Sequence, residues 1–410
     1  MSSNRSIVAL DRQLGSPGFF ADPYPIYAKL RESAPIYWSE TWQAWVCTNY
    51  DDTLAQLKDS EHFSNRNRYL TMFESLPADI HGKIESLKRV YSGGVLQADP
   101  PDHTRLRDLI RSVFSPRAIE RARPSIVAAV DYLIDRVPKH GEMDIATDFA
   151  ARLPATVLSQ LIGIPASDEE AFLEWGEDLM GLQAHGGWTT PEAALRANRG
   201  ADRLERYLRQ LATERRVAPG DDLISELASA HLANDRLTED ELVQTGFTLL
   251  TAGHHTTRNL ITNSLITLFR HPRELGILRS DPSLWPSAVE ECLRFESPVQ
   301  RAWRRVAIDT TYGAHRLRTG QLMFMMIGAA NRDPAQFSDP ESFDDRRRPN
   351  RHLAFGHGIH FCIGAPLARL EAHVALPRLL ERLPTLKIDL QPNWHPNIHM
   401  RMPQSLLASW

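Results

Sequence analysis

The sequence predicts a mainly α-helical α+β fold, and three observations predict it: helical apolar spacing through the middle of the chain, only a few short strand-like runs, and one unusually long central segment. Apolar residues recur at three-to-four spacing over Asp102 to Val113, Arg117 to Val137, Thr147 to Leu161, Glu169 to Met180 and Pro191 to Arg216. Strand-like runs lie at Ile36 to Trp38, at Ala44 to Cys47 and near Leu322 to Met326. Thr238 and Glu241 form a capping box that opens a segment able to run to Arg270, where His271-Pro272 ends it. Such a helix spans about 50 Å at 1.5 Å per residue. It is apolar around Phe247 to Ala252, yet His254, His255, Arg258 and Asn259 interrupt it, so burial in protein is expected and not a membrane span.

Composition narrows the function. A chain of 410 residues with 42% hydrophobic content can bury a large core. It carries no Gly/Ser linker, internal repeat or low-complexity tract, so one domain over residues 1–410 is expected. The net charge of -4 and the dispersed basic residues disfavour nucleic acid as a partner. Cys47, Cys292 and Cys362 lie far apart and form no C-x-x-C pair, which argues against a disulfide framework or zinc ribbon and for a reducing cytoplasm. The first residues contain no apolar run long enough for a signal peptide or anchor, so a soluble cytoplasmic protein without membrane association is expected.

The most informative stretch runs Phe355-Gly356-His357-Gly358-Ile359-His360-Phe361-Cys362-Ile363-Gly364, ahead of the helical run Ala365 to Ala372. A cysteine at a helix entry meets unpaired N–H groups and the positive end of the dipole, which favour a thiolate and make the sulfur a good metal ligand. Gly358 and Gly364 allow tight turns and close backbone approach, and Phe355 can shield one side of the sulfur from water. A buried structural cysteine in a glycine-rich turn is the plainer reading. Zinc held by His352, His357, His360 and Cys362 is set aside, because the spacings match no standard zinc pattern.

This stretch resembles the signature of the cytochrome P450 superfamily, F-x-x-G-x-(H/R)-x-C-x-G, with Phe355, Gly358, His360, Cys362 and Gly364 at its fixed positions. The resemblance extends from Asp22-Pro23-Tyr24-Pro25 through Asn331-Arg332-Asp333-Pro334 to the cysteine helix. It implies a helical prism with a small β-rich lobe, a long central helix over the haem, and haem b (iron protoporphyrin IX) ligated by Cys362. Thiolate ligation favours O–O cleavage, the chemical reason for cysteine at that position.

Further motifs acquire roles from the same resemblance. Glu291 and Arg294, three apart on one helix face, can pair, and the family joins such a pair to an arginine best matched by Arg347, with Arg346 as the neighbouring choice. His103 and Arg107, four apart at a helix start, match residues that bind the haem propionates, as do His360 and Arg305, with Arg304 the alternative to Arg305.

Ala252-Gly253-His254-His255-Thr256-Thr257 resembles the family's Ala-Gly-x-(Asp/Glu)-Thr-Thr oxygen site. By that match Gly253 lets the helix distort and admit dioxygen, and Thr256 holds dioxygen and its waters by hydrogen bonds. His255 stands where the family has an acid; it is read either as a proton relay or as a packing substitution.

The resemblance implies a haem-thiolate monooxygenase that oxidises a small or medium organic substrate with dioxygen. Electrons would come from NAD(P)H through a ferredoxin and its NAD(P)H-dependent reductase, since no flavin or reductase segment is found. Arg105, Arg111 and Arg369 are expected on the ferredoxin-docking face. The rival readings are a biosynthetic P450 doing non-hydroxylating oxidation and a non-enzymatic haem-thiolate binding protein. Substrate-contacting stretches are expected between Asn65 and Leu96, Trp175 and Trp188, Phe247 and Thr251, Val299 and Trp303, and near Met402. Within these, Arg301 is read either as solvated or tied to the haem region, or as a partner for a substrate carboxylate.

Overall fold

The computed structural model describes residues 2–410 apart from 112–113, 138–140, 181, 183–188, 230 and 233–234. The central helix forms as Glu239–Arg270. The Glu241 N–H donates to Thr238 Oγ1 at 3.2 Å, and the Thr238 N–H donates to the Glu241 carboxylate at 2.8 Å, so both partners of the box satisfy end groups that a helix start leaves open. Several of its polar side chains are bonded inside the protein. The Arg258 Nε donates to the Ala146 carbonyl at 3.1 Å, the Asn263 amide donates to the Arg401 carbonyl at 3.0 Å, and His254 Nε2 lies 2.9 Å from the Ala151 carbonyl. The threonine hydroxyls of Thr248, Thr251 and Thr256 donate to the carbonyls of Gln244, Phe247 and Ala252, four residues back.

Around this axis pack the helices Arg152–Ile162, Pro191–Val217, Trp285–Phe295 and Ala365–Arg382, the last carrying on past the predicted Ala372. The predicted run Glu169 to Met180 is a helix with those bounds. Two predicted helices are broken for local reasons. Arg117 to Val137 divides into Pro116–Arg121 and Arg123–Asp135, because Pro124 lacks the N–H a continuous helix would use. Thr147 to Leu161 begins as a wide π-type turn, Ile145–Ala150, before the helix Arg152–Ile162. The helix predicted to reach Val113 is Asp102–Arg111, and Val113 lies outside the described residues.

A five-stranded sheet forms the β lobe, in the order Ile36–Ser39, Ala44–Cys47, Leu322–Met325, Ala302–Val306, Phe63–Ser64. Only the Ala44–Cys47 and Leu322–Met325 pair is parallel. Apolar side chains from Leu10 to Ala408 join in one principal core, and a smaller cluster, including Trp45, Val306 and Met323, lies against the sheet.

The Glu291–Arg294 pair is wholly buried. Arg294 donates to both carboxylate oxygens at 2.8 Å, and Arg347 Nε approaches the same carboxylate at 3.1 Å. Arg346 points to solvent, so the register is that of Arg347. Remaining guanidinium protons go to the carbonyls of Asn331, Pro340, Ser342 and Ser338. The chain just beyond is pinned as well: the Asn350 amide donates to Glu291 at 3.0 Å, the Tyr50 hydroxyl to the Arg351 carbonyl at 2.6 Å, and the Leu353 N–H to Asn331 Oδ1 at 2.7 Å. These bonds fix the segment that leads into the cysteine loop.

Candidate active site

The cysteine loop is shaped by its glycines. Gly356 and Gly358 adopt φ of 67° and 70°, and a Cβ on Gly358 would lie 2.5 Å from the Leu57 carbonyl oxygen, so the loop presses directly on the helix Tyr50–Lys58. The Cys362 N–H donates to the Phe355 carbonyl at 3.0 Å, closing the loop over itself. Cys362 sits just ahead of the helix Ala365–Arg382. Its thiol is accessible only because it opens onto an internal cavity. Burial among protein atoms raises its pKa; the N–H groups of Gly364 and Ala365 and the nearby Arg107 pull the other way. A Cβ on Gly364 would come within 3.9 Å of the sulfur. The Phe355 ring lines the cavity and carries the Arg369 guanidinium at 4.4 Å from its centre.

The cavity measures about 380 Å³ and lies between the cysteine loop and the central helix. Its walls are mostly apolar, and among its lining residues Arg68, Arg107, Arg304 and His360 form a basic group, with His103 packed against His360. The His103 and His360 rings meet at 4.3 Å, and neither nitrogen of His103 nor Nε2 of His360 has a hydrogen-bond partner. Burial lowers the pKa of both histidines, and Arg304 and Arg107 lower it further. Burial also drops Arg304 to about 9. Arg107 donates to the Phe361 carbonyl at 2.6 Å. Asp99, the nearby acid, is taken up by Ser64 and by the Asn65 N–H at 3.0 Å. Concentrated donors without an acid of their own suit a ligand with two carboxylates, and a thiol below an apolar slot suits the metal of a flat macrocycle. The residues present fit haem.

The structure corrects the choice of arginine on the strand Ala302–Val306. Arg304 lines the cavity and neighbours both histidines, whereas Arg305 is placed beside Gly320, and its register partners are Leu322 and Ser64. Adjacent residues on a strand point to opposite faces, so only one of the two can serve. Arg304→Leu is therefore expected to lower haem retention through gel filtration, with Arg305→Leu retaining it; the reverse order would restore Arg305.

On the distal side Gly253, His255 and Thr256 line the same cavity. The helix is continuous through Gly253, where a Cβ would sit 3.0 Å from Leu158, so the missing side chain leaves room for the helix Arg152–Ile162. Thr256 Oγ1 donates to the Ala252 carbonyl at 2.6 Å. His255 is buried against His254, their ring centres 4.2 Å apart, and neither of its nitrogens has a hydrogen-bond partner, the Gly176 backbone being the polar group it faces. Burial first, then the neighbouring His254 and Arg258, hold its pKa well below the usual histidine value. It is neutral near pH 7, which speaks against a charged relay.

Two further cavity residues were not singled out by sequence reasoning, Arg68 within the expected Asn65 to Leu96 stretch and Glu371 outside every expected stretch. Arg68 is buried and donates through Nη1 to Asn65 Oδ1 and the Trp303 carbonyl. Glu371, on the cysteine helix, is 1% exposed, has an unpartnered Oε2, and is pushed up to about 8 by burial alone. It keeps its proton near neutral pH. Two of the three arginines expected on a docking face are already bonded: Arg105 to Glu241, and Arg369 bidentately to Glu290 at 2.6 and 2.8 Å. The expected Trp175 to Trp188 stretch falls partly outside the described residues, but Gly176, Leu179 and Leu182 within it line the cavity.

Comparison with known proteins agrees with this geometry. The family model described as Cytochrome P450 matches residues 283–406, which hold the ion network, the Arg304 strand and the cysteine loop. The polyketide biosynthesis cytochrome P450 PksS of Bacillus subtilis is 37% identical over 401 residues, covering 95% of this chain and 96% of its own. Cytochrome P450 107B1 of Saccharopolyspora erythraea is 40% identical over 390 residues, covering 93% and 94%. The crystal structure of P450BioI in complex with hexadec-9Z-enoic acid ligated acyl carrier protein superposes with a TM-score of 0.88 at 37% identity, over 96% of this chain and 99% of that one. Among the described residues no helix is long and apolar enough to cross a membrane. With a thiol beneath an apolar slot, donors for two carboxylates at its rim and relatives matching along almost the whole chain, this protein belongs to the cytochrome P450 family, oxidoreductases whose cofactor is haem, iron protoporphyrin IX.

Proposed function

We propose that the chain is a single-domain cytoplasmic monooxygenase that oxidises a small or medium organic substrate with dioxygen. Its electrons come from NAD(P)H through a ferredoxin and its reductase. The observation that carries this reading is the convergence of Cys362, Arg304 and His360 on one cavity, with His103 packed against His360 and ring nitrogens of both histidines unpartnered. Cys362 supplies the sulfur ligand, and His103, Arg107, His360 and Arg304 hold the two propionates. The one continuous apolar core supports a single domain. Haem with a thiolate ligand supplies the electron push that favours O–O cleavage.

The chain's own part is to bind substrate, exclude water and manage protons. Apolar walls from Val95, Phe247, Leu249 and Val299 hold an organic skeleton and keep bulk water out. Thr256 swings its hydroxyl from the Ala252 carbonyl to position a water. Glu371, protonated near pH 7, is the group with a proton to give; His255, neutral and enclosed, packs the helix. PksS is named for polyketide biosynthesis, which supports a biosynthetic substrate.

The test is reconstitution with a bacterial ferredoxin, its reductase and NADPH. Substrate-dependent NADPH consumption with an oxygenated product is expected, and consumption without any altered organic product would sink the reading in favour of a binding protein. In the same assay Thr256→Ala is expected to divert electrons to peroxide, and Glu371→Gln to slow turnover by roughly 10²-fold, the lower end for an acid–base group. His255→Ala is expected to stay within a few-fold of the parent; a 10²-fold loss there would reinstate it as the relay.

A further inference from the structure

Arg301 lines the cavity wall and has no task in the proposed haem site. It is 1% exposed, and its Nε and Nη1 are enclosed without a hydrogen-bond partner among the described residues. Its guanidinium lies 4.0 Å from the centre of the Phe324 ring and 5.5 Å from that of Trp303, which hold it in place without neutralising it. The charged neighbour it senses is another cation, Arg68, and no carboxylate among the described residues faces it. Burial holds its pKa down at about 9, still protonated at neutral pH. A buried charge left so is unfavourable unless a partner arrives.

The propionate donors do not account for it. The arginines that lower the pKa of His103 and His360 are Arg107 and Arg304, with Arg68 acting on His360 as well. Arg301 belongs to another corner, where His399 Nδ1 lies 2.9 Å from its carbonyl and Tyr27 and Tyr69 face its charge. That corner opens on the same cavity as Val299, Phe247 and Met400.

Resting on the monooxygenase reading, we propose that the substrate is an organic monocarboxylate: an apolar skeleton held by the cavity walls, with its carboxylate bound at Arg301. One unpaired guanidinium calls for one negative charge, and its planar donors suit a carboxylate. Arg68, whose Nε is also unpartnered, adds to the positive potential at this end.

The experiment titrates haem-loaded enzyme with matched pairs, decanoic to hexadecanoic acids and a resin acid, each against its methyl ester, and reads the Soret shift. In the parent at least one acid is expected to bind roughly ten- to hundred-fold more tightly than its ester, as loss of a charged hydrogen bond predicts. Arg301→Met should erase that preference while retaining haem, and Arg301→Lys should keep part of it. Equal binding of acid and ester in every pair, or a preference that survives Arg301→Met, overturns the proposal. So does loss of haem in Arg301→Met with retention in Arg301→Lys, which would make Arg301 a cofactor anchor. A parent without the long-wavelength band of the reduced carbon monoxide complex would sink the haem-thiolate reading. The acid preference, read then as a rise in melting temperature, would still decide this one.

Discussion

Cys362→Ser is expected to abolish the long-wavelength Soret band of the reduced carbon monoxide complex and with it monooxygenase turnover. The band depends on thiolate donation, and a serine hydroxyl at the same place, with a far higher pKa, supplies no soft anionic ligand. The surroundings are arranged for sulfur. Gly364 leaves 3.9 Å between a notional Cβ and Sγ, and the N–H groups of Gly364 and Ala365 with Arg107 favour negative charge there. Cys47 and Cys292 cannot substitute, since burial raises each thiol to about 12 and neither lines the cavity. Absorbance of the dithionite-reduced, carbon-monoxide-treated variant decides the matter. Retention of the band would move the ligand elsewhere.

The second large effect is expected at the buried ion network. Glu291→Ala would leave Arg294 and Arg347 as like charges in a space that is 0% and 8% exposed at their side chains. Breaking a buried pair by removing one partner costs about 3–5 kcal/mol, a large fraction of the stability of an ordinary domain. The variant is expected to melt well below the parent and to load haem poorly, because Asn350 also loses its acceptor and the segment entering the cysteine loop is released. Arg346→Ala, at an exposed side chain, serves as the comparison and should melt within the error of the parent. Circular dichroism melts of both variants would measure this. An unchanged melting temperature for Glu291→Ala would show the network to be dispensable.

Local signals were legible and tertiary choices were not. The capping box at Thr238 and the proline after His271 bound the central helix in the sequence as they do in space, because both act within a few residues. The cysteine loop was legible for the same reason, its chemistry being contained in ten consecutive positions. Arg304 and Arg305 differ only in which face of a strand they occupy, and that depends on pairing with Leu322–Met325, some twenty residues on. Arg68 and Glu371 carry no local mark at all. What distinguishes them is burial without a matching charge, a property of the folded neighbourhood. His255 lines the cavity, and what keeps it neutral is burial first, then the neighbouring His254 and Arg258, against the opposite pull of the Gly176 backbone.

The threonines of the central helix give the cavity ceiling an adaptable character. Thr248, Thr251 and Thr256 count as polar by hydropathy, yet each hydroxyl is turned back to its own helix, so the group left to face outward is a methyl. Threonine in a helix divides between two χ1 wells for this reason. Rotation to the other well forfeits one hydrogen bond of about 1 kcal/mol net, an amount a single polar contact to a guest restores. The ceiling can therefore be greasy toward a hydrocarbon and wet toward a hydroxylated molecule without any backbone movement. A catalyst with such a surface can turn over a substrate and its own more polar product in succession, so repeated oxidation of one skeleton is a chemical habit this wall permits.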